Sequence, residues 1–251
     1  MAAQAILFDL FDTLIDLSLE KLPTLELGGR RVPTTYGAIY EVLGPRIAMD
    51  FERFSRELAA VDRLVRRRIE EEGLEYPTRD RFIALLDRLG RPDVELAERL
   101  TQTHMGLLRE TAEVRPQHAE LLEELHADSR LGVCSNFSHA ATAESLLDEA
   151  GLRSHLDAVV ISEQVGFRKP RPEIFRAALE RLGARPETAV HVGDSLSADI
   201  AGAGALGITT VWLTRRVPEP QRRIAEYTGP PPAHVIADLA ELPDVLRSCA
   251  A

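Results

Sequence analysis

Reactive side chains recur in this sequence at the ends of short apolar runs. Asp9, Ser135 and Asp194 each directly follow such a run, and Lys169 lies in a loop that enters a helical pattern. In a parallel sheet, ligands bind outside the carboxyl ends of the strands, near the point where the strand order reverses. Carboxylate, hydroxyl and ammonium groups gathered there can attack and hold an anionic substrate. The sequence therefore predicts a site whose chemistry begins at the carboxylate of Asp9.

The elements that must position these groups alternate between strand and helix. Short apolar runs that predict strands buried on both faces cover residues 6–8, 131–134, 158–161, 189–192, 210–213 and 234–237. Helical patterns over 116–127, 139–151, 172–183 and 197–206 lie between the later runs. Strand followed by helix, repeated, predicts an α/β fold with a Rossmann-like, doubly wound parallel sheet.

The segment from about 34 to 114 differs, because it contains helical patterns and no convincing strand. Over residues 50–72 apolar side chains recur every three or four positions, behind a candidate N-cap at Asp50. Residues 78–90 and 93–111 also have the pattern of amphipathic helices. The pattern predicts an all-helical cap domain inserted into the α/β core.

A possible hairpin precedes this helical segment. Two short runs flank Gly28-Gly29 within residues 25–32, which predicts a β-hairpin. It is either a surface linker or a flap that brings Arg30 or Arg31 over the site. The expected domains are residues 1–16 with 115–251 for the core, and 17–114 for the flap and cap.

The charge balance narrows the classes of partner. The net charge of −10 argues against a nucleic-acid-binding protein, which usually has a basic face. An anionic substrate remains possible, because local charge at a cleft can oppose the global balance. No apolar stretch approaches the roughly 18 residues of a membrane span, and the start of the sequence does not resemble a signal peptide. We therefore expect a cytoplasmic protein without membrane partners.

Four motifs, in this order, resemble those of the haloacid dehalogenase-like (HAD) superfamily. They are Asp9-Leu10-Phe11-Asp12-Thr13, Ser135-Asn136, Lys169-Pro170, and Gly193-Asp194-Ser195 with Asp199. Each motif alone is weakly specific, but the ordered set is specific. The resemblance extends from residue 5 to about residue 245, and the helical insert is similar to the family's helical cap of the first type.

The resemblance implies a magnesium-dependent hydrolase of small phosphomonoesters. In the family the residue matching Asp9 attacks the phosphoryl group and forms an aspartyl-phosphate. Hard oxygen ligands suit Mg²⁺. The implied ligands are the carboxylates of Asp9 and Asp194 and the backbone carbonyl of Phe11, with Asp199 assisting directly or through water. A small phosphorylated metabolite is the implied substrate.

The same resemblance assigns the phosphate-binding groups. Ser135 and Asn136 are expected to bind the phosphate. Thr13 is expected to organise the turn that follows Asp9 and to take part in binding the substrate. Lys169 is expected to supply positive charge to the phosphate and to Asp9. Lysine is scarce here, since Lys21 and Lys169 are the only two and the other 28 basic residues are arginines. The presence of a lysine at position 169 agrees with a specific role.

One position departs from the family pattern. Most phosphatases of the family have a second Asp two residues after the nucleophile, where it protonates the leaving oxygen and then activates water. Here that position is Phe11, and an acid appears one residue later as Asp12. Asp12 or another acid could carry the proton, or turnover could be slow or limited to good leaving groups. Alternatively, Phe11 fills the floor of the site and Asp12 is a turn residue.

Two competing functions follow from this departure. Haloacid dehalogenases of the superfamily have an aromatic residue at the position of Phe11 and need no metal, but they generally lack the acid pair matched by Asp194 and Asp199. The pair therefore favours a phosphatase. The other alternative is a weakly catalytic protein that binds phosphoesters. His191 lies in an apolar run and is expected to be a core histidine, and the protein is expected to be a monomer or a homodimer.

Overall fold

The chain folds as two compact units. The computed structural model describes the backbone of residues 3–44 and 47–250 and the side chains of these ranges up to residue 248. One unit contains the chain up to Asp16 and from Val114 onward, and the other contains Leu17–Glu113. The sequence-distant parts of the first unit are joined by one sheet, and three of the four motifs lie at the ends of its strands, while Lys169-Pro170 lies in a loop between two helices.

The strands are short, and six of them form the main sheet. Their bounds are β1 Ala5–Phe8, β2 Ile15–Leu17, β3 Thr24–Leu27, β4 Arg30–Pro33, β5 Ala112–Val114, β6 Arg130–Ser135, β7 Ala158–Ile161, β8 Ala189–Gly193, β9 Thr209–Leu213 and β10 His234–Ile236. All six predicted strands are present, and they form the parallel sheet in the order β10-β9-β8-β1-β6-β7.

The helices alternate with these strands in the first unit and dominate the second. Their bounds are α1 Tyr36–Leu43, α2 Phe51–Glu72, α3 Thr78–Arg88, α4 Val94–Arg109, α5 Gln117–His126, α6 Ala140–Glu149, α7 Ser162–Val165, α8 Pro172–Leu182, α9 Ala201–Gly204, α10 Pro220–Glu226 and α11 Leu242–Ala250. A π-helical segment, Leu196–Ile200, leads into α9. Within the described ranges, none of the helices combines the length and apolar character needed to span a bilayer.

The strand order places a switch point at the centre of the main sheet. Chain progress runs outward from β1 through β6 to β7, then restarts at β8 on the other side of β1 and continues outward to β10. This is the doubly wound arrangement, and in such sheets ligands bind outside the carboxyl ends of the two strands at the reversal. The residues that directly follow β1 and β8 are Asp9 and Asp194. The topology therefore brings these two carboxylates to the same crevice.

Buried apolar side chains hold the main sheet to its helices. Every residue of β1 is fully buried, as expected for a central strand covered on both faces. Phe175 and Leu179 of α8 lie in one cluster with Leu7 of β1 and Val160 of β7. Burial of an aromatic or leucine side chain contributes about 1.5–3 kcal/mol each. These contacts fix the strand ends from which the reactive side chains project.

The second unit is a helical block that begins with a hairpin. Strands β3 and β4 pair antiparallel around Gly28 and Gly29, both with positive φ, so the predicted hairpin is confirmed. Helix α2 begins at the predicted N-cap, since the side chain of Asp50 accepts a hydrogen bond from the backbone N–H of Arg53 at 2.8 Å. The closing of a flap by Arg30 or Arg31 stays a prediction.

Two details differ from the sequence prediction. The segment 34–114 was expected to lack strands, which is wrong for Ala112–Val114, because these residues form β5 and pair with β2. Three-residue strands have too few positions to display an alternating pattern. The predicted helix over 197–206 begins with a π-helical segment, Leu196–Ile200, and Asp199 lies in this segment.

Candidate active site

Lys169 lies between two carboxylates at the carboxyl edge of the sheet. Its Nζ is 2.8 Å from Oδ1 of Asp9 and 2.6 Å from Oδ1 of Asp199, and its side chain is 1% exposed. Burial alone would lower the pKa of the lysine, but the charges of Asp199 and Asp9 raise the pKa above its usual range. The ammonium is therefore a fixed positive charge beside Asp9.

Asp199 accepts hydrogen bonds from three sides. Oδ1 accepts from Nζ of Lys169 at 2.6 Å and from Nε2 of His191 at 2.8 Å, while Oδ2 accepts from the backbone N–H of Ser195 at 3.0 Å. Burial raises the pKa of this carboxyl, but the charge of Lys169 and the hydrogen bond from His191 bring it well below its usual range. Asp199 is therefore an ionised, fully buried anchor for the lysine.

Gly193 is the residue that makes room for Asp199. A Cβ atom at position 193 would lie 2.3 Å from Cγ of Asp199, which is closer than non-bonded carbon atoms approach. Steric exclusion by Asp199 therefore explains why the Gly193-Asp194 motif has a glycine at position 193. Its missing side chain lets a carboxylate from the following helical segment lie against the end of β8.

Asp194 directly follows β8, is partly exposed and lines a cavity at this edge of the sheet. Burial, followed by the negative charges of Asp9, Asp199 and Asp12, raises its pKa to about 7. The backbone carbonyl of Asp194 accepts a hydrogen bond from Nε1 of Trp212 at 2.8 Å. The carboxylates of Asp9, Asp194 and Asp199 cluster here, with the ammonium of Lys169 against two of them.

Ser135 and Asn136 come from the end of β6. Ser135 is buried beside Asp9. Burial raises the pKa of Asp9, and the charge of Lys169, followed by a hydrogen bond from Ser135, acts in the opposite direction. The amide of Asn136 holds the backbone of Lys169, since Oδ1 accepts from its N–H at 2.7 Å and Nδ2 donates to its carbonyl at 3.0 Å. Asn136 therefore ties the second motif to the third, and its role in binding substrate stays a prediction.

Thr13 is fully buried in the turn that follows Asp9. Its hydroxyl has no hydrogen-bond partner among the residues that the structure describes. The turn itself is closed by backbone hydrogen bonds, including one from the N–H of Leu14 to the carbonyl of Leu10 at 2.9 Å. The expected structural role of Thr13 and its binding of substrate both remain predictions.

Phe11 and Asp12 project from the turn that follows Asp9. The ring of Phe11 packs against Phe137, with centroids 4.5 Å apart at an angle of 52°. Asp12 has a φ of 57°, a left-handed conformation that Asp tolerates better than most residues. Oδ1 of Asp12 lies 2.8 Å from Nε of Arg216. Asp12 thus combines a turn conformation with a carboxylate directed toward a cation.

Two arginines after β9 pair with acids that closely follow Asp9 in sequence, and these arginines were not identified from the sequence. Arg216 pairs with Asp12, and Arg215 binds Asp16 through two hydrogen bonds of 2.7 and 2.5 Å. A signal was present, because Arg215 and Arg216 closely follow the carboxyl end of a predicted buried strand, as Asp9 and Asp194 do. The rule that located the other motifs would have located these two as well.

A cavity of about 720 Å³ opens beside Asp194 in the first unit. Asp12, Asp194 and Trp212 line one part of it, and Arg216 and Tyr227 line another. Its other lining residues are Ser195, Leu196, Ser197, Val217, Pro218, Glu219, Arg222, Arg223 and Glu226. The polar lining is continuous with the acidic crevice, so a small polar molecule can reach Asp194 from this side.

Three carboxylates of the site meet the geometric requirement for holding a cation. Asp9, Asp194 and Asp199 each offer an oxygen, and these oxygens lie within 4.8 Å of one another. Oxygen ligands at such a spacing suit a hard divalent cation. A doubly buried sheet, an acidic crevice at its switch point and a lysine clamp together define a Rossmann-like α/β enzyme with an aspartate-centred site.

Comparison with known proteins identifies the family. The haloacid dehalogenase-like hydrolases match residues 3–207, so this chain belongs to that family. Glyceraldehyde 3-phosphate phosphatase of Methanopyrus kandleri is 32% identical over 217 residues, which cover 84% of each chain.

Two solved structures share the fold over nearly the whole chain. A 2-haloacid dehalogenase from Pseudomonas syringae has a TM-score of 0.71 at 22% identity and covers 98% of this chain and 99% of its own. A HAD hydrolase of Bacillus subtilis, bound to magnesium, has a TM-score of 0.62 at 23% identity with the same coverage. At these identities the likeness extends to the fold alone.

Proposed function

We propose that this protein is a magnesium-dependent phosphatase of small phosphomonoesters, acting through a phosphorylated Asp9. The observation that carries the proposal is the position of Lys169, whose ammonium lies between Asp9 and Asp199 at 2.8 and 2.6 Å. A carboxylate nucleophile and a phosphoryl group repel each other. A fixed positive charge beside the nucleophile reduces this repulsion.

The residues present fit a magnesium ion. The pKa of Asp194 is raised to about 7, partly by the charges of Asp9 and Asp199, and this excess of negative charge is what a divalent cation relieves. Asp9, Asp194 and the backbone carbonyl of Phe11 would hold the ion, with Asp199 next to them. A bound Mg²⁺ would supply positive charge that offsets the charge of the phosphoryl group.

The reaction then proceeds in two steps. A carboxylate oxygen of Asp9 attacks phosphorus, the bond from phosphorus to the ester oxygen breaks, and the alcohol leaves with a proton taken from an acid or from water. Ser135 and Lys169 donate hydrogen bonds to the phosphoryl oxygens as the charge on them changes. Water then attacks the phosphoryl group, releasing inorganic phosphate and restoring the carboxylate of Asp9.

Asp12 is the proposed proton carrier for the second step. It lies close enough to Asp194 for its charge to raise the pKa of that residue, and it lines the same cavity. The carboxylate of Asp12, held by Arg216 at 2.8 Å, is the group that accepts a proton from the attacking water. Phe11 has no acid that could protonate the leaving oxygen, so the site suits esters whose leaving group needs little help.

The proposed substrate is a small phosphorylated metabolite. The relative from Methanopyrus kandleri is named for a three-carbon phosphate ester, and similarity over 84% of both chains supports a substrate of that class. The open, polar cavity beside Asp194 provides space for such a molecule. Its mixed acidic and basic lining favours a hydrophilic leaving group over an apolar one.

A metal-independent 2-haloacid dehalogenase is the second candidate. The observation that favours it is Phe11, an aromatic residue at the position where these dehalogenases have one, here packed on Phe137. Against it stands the acid pair Asp194 and Asp199, which such dehalogenases generally lack. The two candidates use the same nucleophile but differ in their need for a cation.

One panel of assays separates these functions. Wild-type protein is given an aryl phosphate, a set of sugar phosphates and 2-chloropropionate, each with Mg²⁺ and with a chelator. Phosphate release that requires Mg²⁺ and is absent from Asp9→Asn supports the phosphatase. Halide release that the chelator does not affect would establish the dehalogenase. Binding of phosphoesters without release of phosphate or halide would favour a phosphoester-binding protein that is not an enzyme of either kind.

A further inference from the structure

His191 is the third donor to the carboxylate that anchors the lysine. It lies in the middle of β8 and is fully buried. Its Nε2 is 2.8 Å from Oδ1 of Asp199, and its ring meets Phe175 edge-on at 5.2 Å. Because a carboxylate can only accept, the Nε2–H of His191 is the donor.

The bond from Nε2 to Asp199 is the polar contact that the imidazole of His191 makes, because its other ring nitrogen makes none among the described residues. Nδ1 of His191 is buried and has no partner within the part of the chain that the structure describes. A histidine used only to fill an apolar core is easily replaced by a leucine or phenylalanine, since burying a polar ring atom without a partner costs free energy. A histidine at this position can donate a hydrogen bond to Asp199, which a leucine or phenylalanine cannot.

His191 donates its hydrogen bond to the same oxygen of Asp199 that accepts the hydrogen bond from Lys169. Oδ1 of Asp199 receives Nζ of Lys169 and Nε2 of His191, while Oδ2 receives the backbone of Ser195. Two donors on one oxygen fix both the rotation of the carboxylate and the place where the ammonium rests. Without His191, the carboxylate can turn about its last bond and the ammonium can move from Asp9.

We propose that His191 is a positioning residue, which holds Asp199 so that the ammonium of Lys169 stays against Asp9. On this proposal the line His191, Asp199, Lys169, Asp9 is a single support for the nucleophile. Asp199 acts mainly as the anchor of the lysine, because the protein already supplies donors to both of its oxygens. The catalytic consequence rests on the proposed function, but the arrangement of the four residues does not.

The scarcity of lysine allows a direct test by NMR. Labelling with ¹³C,¹⁵N-lysine gives signals from Lys21 and Lys169 alone. The side chain of Lys21 is 54% exposed and its ammonium hydrogens exchange rapidly with water. The ammonium of Lys169 is buried and bonded to two carboxylates, so its hydrogens exchange slowly and give a resolved ¹H–¹⁵N signal.

Two variants at position 191 differ in the hydrogen bond. His191→Leu removes the donor, whereas His191→Gln keeps an amide N–H at a reach similar to that of Nε2. If His191→Leu fails to fold, His191→Met, which also lacks a donor, replaces it. Leu182→Ala is the matched control, because Leu182 lies in the same apolar cluster as Phe175 but outside the polar line.

The proposal predicts that His191→Leu shifts the Lys169 ammonium signal and speeds its hydrogen exchange, while His191→Gln and Leu182→Ala leave it near the wild-type position. Phosphatase kcat/KM falls about 10–100-fold in His191→Leu, as for other residues that orient a direct contact, and is largely restored in His191→Gln. An unchanged Lys169 signal in His191→Leu, or equal effects of Leu and Gln, would overturn it. A wild-type protein without phosphatase activity but with this NMR behaviour would refute the proposed function alone.

Discussion

Nε of Arg216 lies 2.8 Å from Oδ1 of Asp12, and this ion pair fixes the acid that stands one residue after the usual proton carrier. Asp12 has a φ of 57°, so the turn directs its side chain away from the direction that residue 11 takes. Phe11 turns toward Phe137 instead. The two adjacent side chains therefore have different surroundings, and of the two residues it is Asp12 that lines the polar cavity together with Asp194.

The role of Asp12 can be tested by removing its charge alone. Asparagine also tolerates the left-handed conformation, so Asp12→Asn preserves the turn. If Asp12 takes the proton from water, kcat for an aryl phosphate falls by roughly 10²–10⁴-fold. Glu219→Gln is the control, since Glu219 also has a positive φ and lines the same cavity. Near-wild-type turnover in Asp12→Asn would show that Asp12 is only a turn residue.

Restoring an acid at position 11 should widen the range of substrates. Phe11→Asp places a proton donor where phosphatases of this family have one, and the gain is largest for alkyl phosphates, whose leaving oxygen must be protonated. We expect the ratio of alkyl to aryl phosphate turnover to rise by roughly 10²-fold. Phe11→Asn has the same size and cannot supply a proton. Equal ratios in the two variants would contradict this interpretation of Phe11.

The absence of a side chain at position 193 is predicted to be required. A Cβ there would lie 2.3 Å from Cγ of Asp199, which three hydrogen bonds hold in place. Gly193→Ala therefore displaces Asp199, lowers activity, and reduces the free energy of unfolding by about 1–3 kcal/mol. At Gly204 an added Cβ would meet only Cγ2 of Thr210 at 3.8 Å. Gly204→Ala should be harmless, and a comparably harmless Gly193→Ala would refute the steric argument.

The pairing of Asp16 with the arginines that follow β9 should make the free energy of unfolding depend on pH in the acidic range. Burial alone would raise its pKa, but the hydrogen bond and charge of Arg215, with the charges of Arg216 and Arg115, hold the pKa below its usual range. The pKa of an Asp in the unfolded chain is about 3.9. Because the pKa of Asp16 is lower in the folded protein, its ionised carboxylate adds to the free energy of unfolding at pH values above about 3.9. This contribution is lost as the pH falls through the folded-state pKa.

Asp16→Asn should therefore lower the free energy of unfolding by about 3 kcal/mol at pH 7, because it leaves Arg215 buried without its partner charge. The difference from wild type should shrink as the pH falls below about 4. Urea unfolding followed by fluorescence of Trp212, the single and buried tryptophan, measures both values. Asp244→Asn, which removes an exposed partner of Arg247, is the control. A difference that is constant with pH would contradict the assignment.

Sequence patterns were sufficient for the main sheet because its strands are buried on both faces. A fully buried strand such as β1 appears as an uninterrupted apolar run, and the reactive residues directly follow such runs. The rule that parallel strands share a carboxyl edge then brings Asp9 and Asp194 together without any knowledge of distances. The N-cap at Asp50 was predictable because it is a local contact, in which the side chain of Asp50 bonds the backbone N–H three residues later.

The contacts that the sequence did not reveal are those between distant positions. Asp16 and Arg215 are 199 residues apart, and neither lies in a pattern that names the other. His191 was expected to be a core histidine, and it is buried, but its hydrogen bond to Asp199, eight residues later in the π-helical segment that follows β8, was not predicted. Helix α1 also escaped individual prediction because it has only eight residues. Short elements and long-range polar pairs require the three-dimensional arrangement.

The central claim is that Asp9 becomes phosphorylated during turnover, and rapid-quench mass spectrometry tests it directly. Protein mixed with Mg²⁺ and an excess of aryl phosphate is stopped in acid within the first turnover and digested. The account predicts one added phosphoryl group on the peptide that contains Asp9, present in wild type, increased in Asp12→Asn, and absent in Asp9→Asn. Phosphate release by Asp9→Asn at a rate near that of wild type, or a phosphoryl group on a different residue, would contradict it.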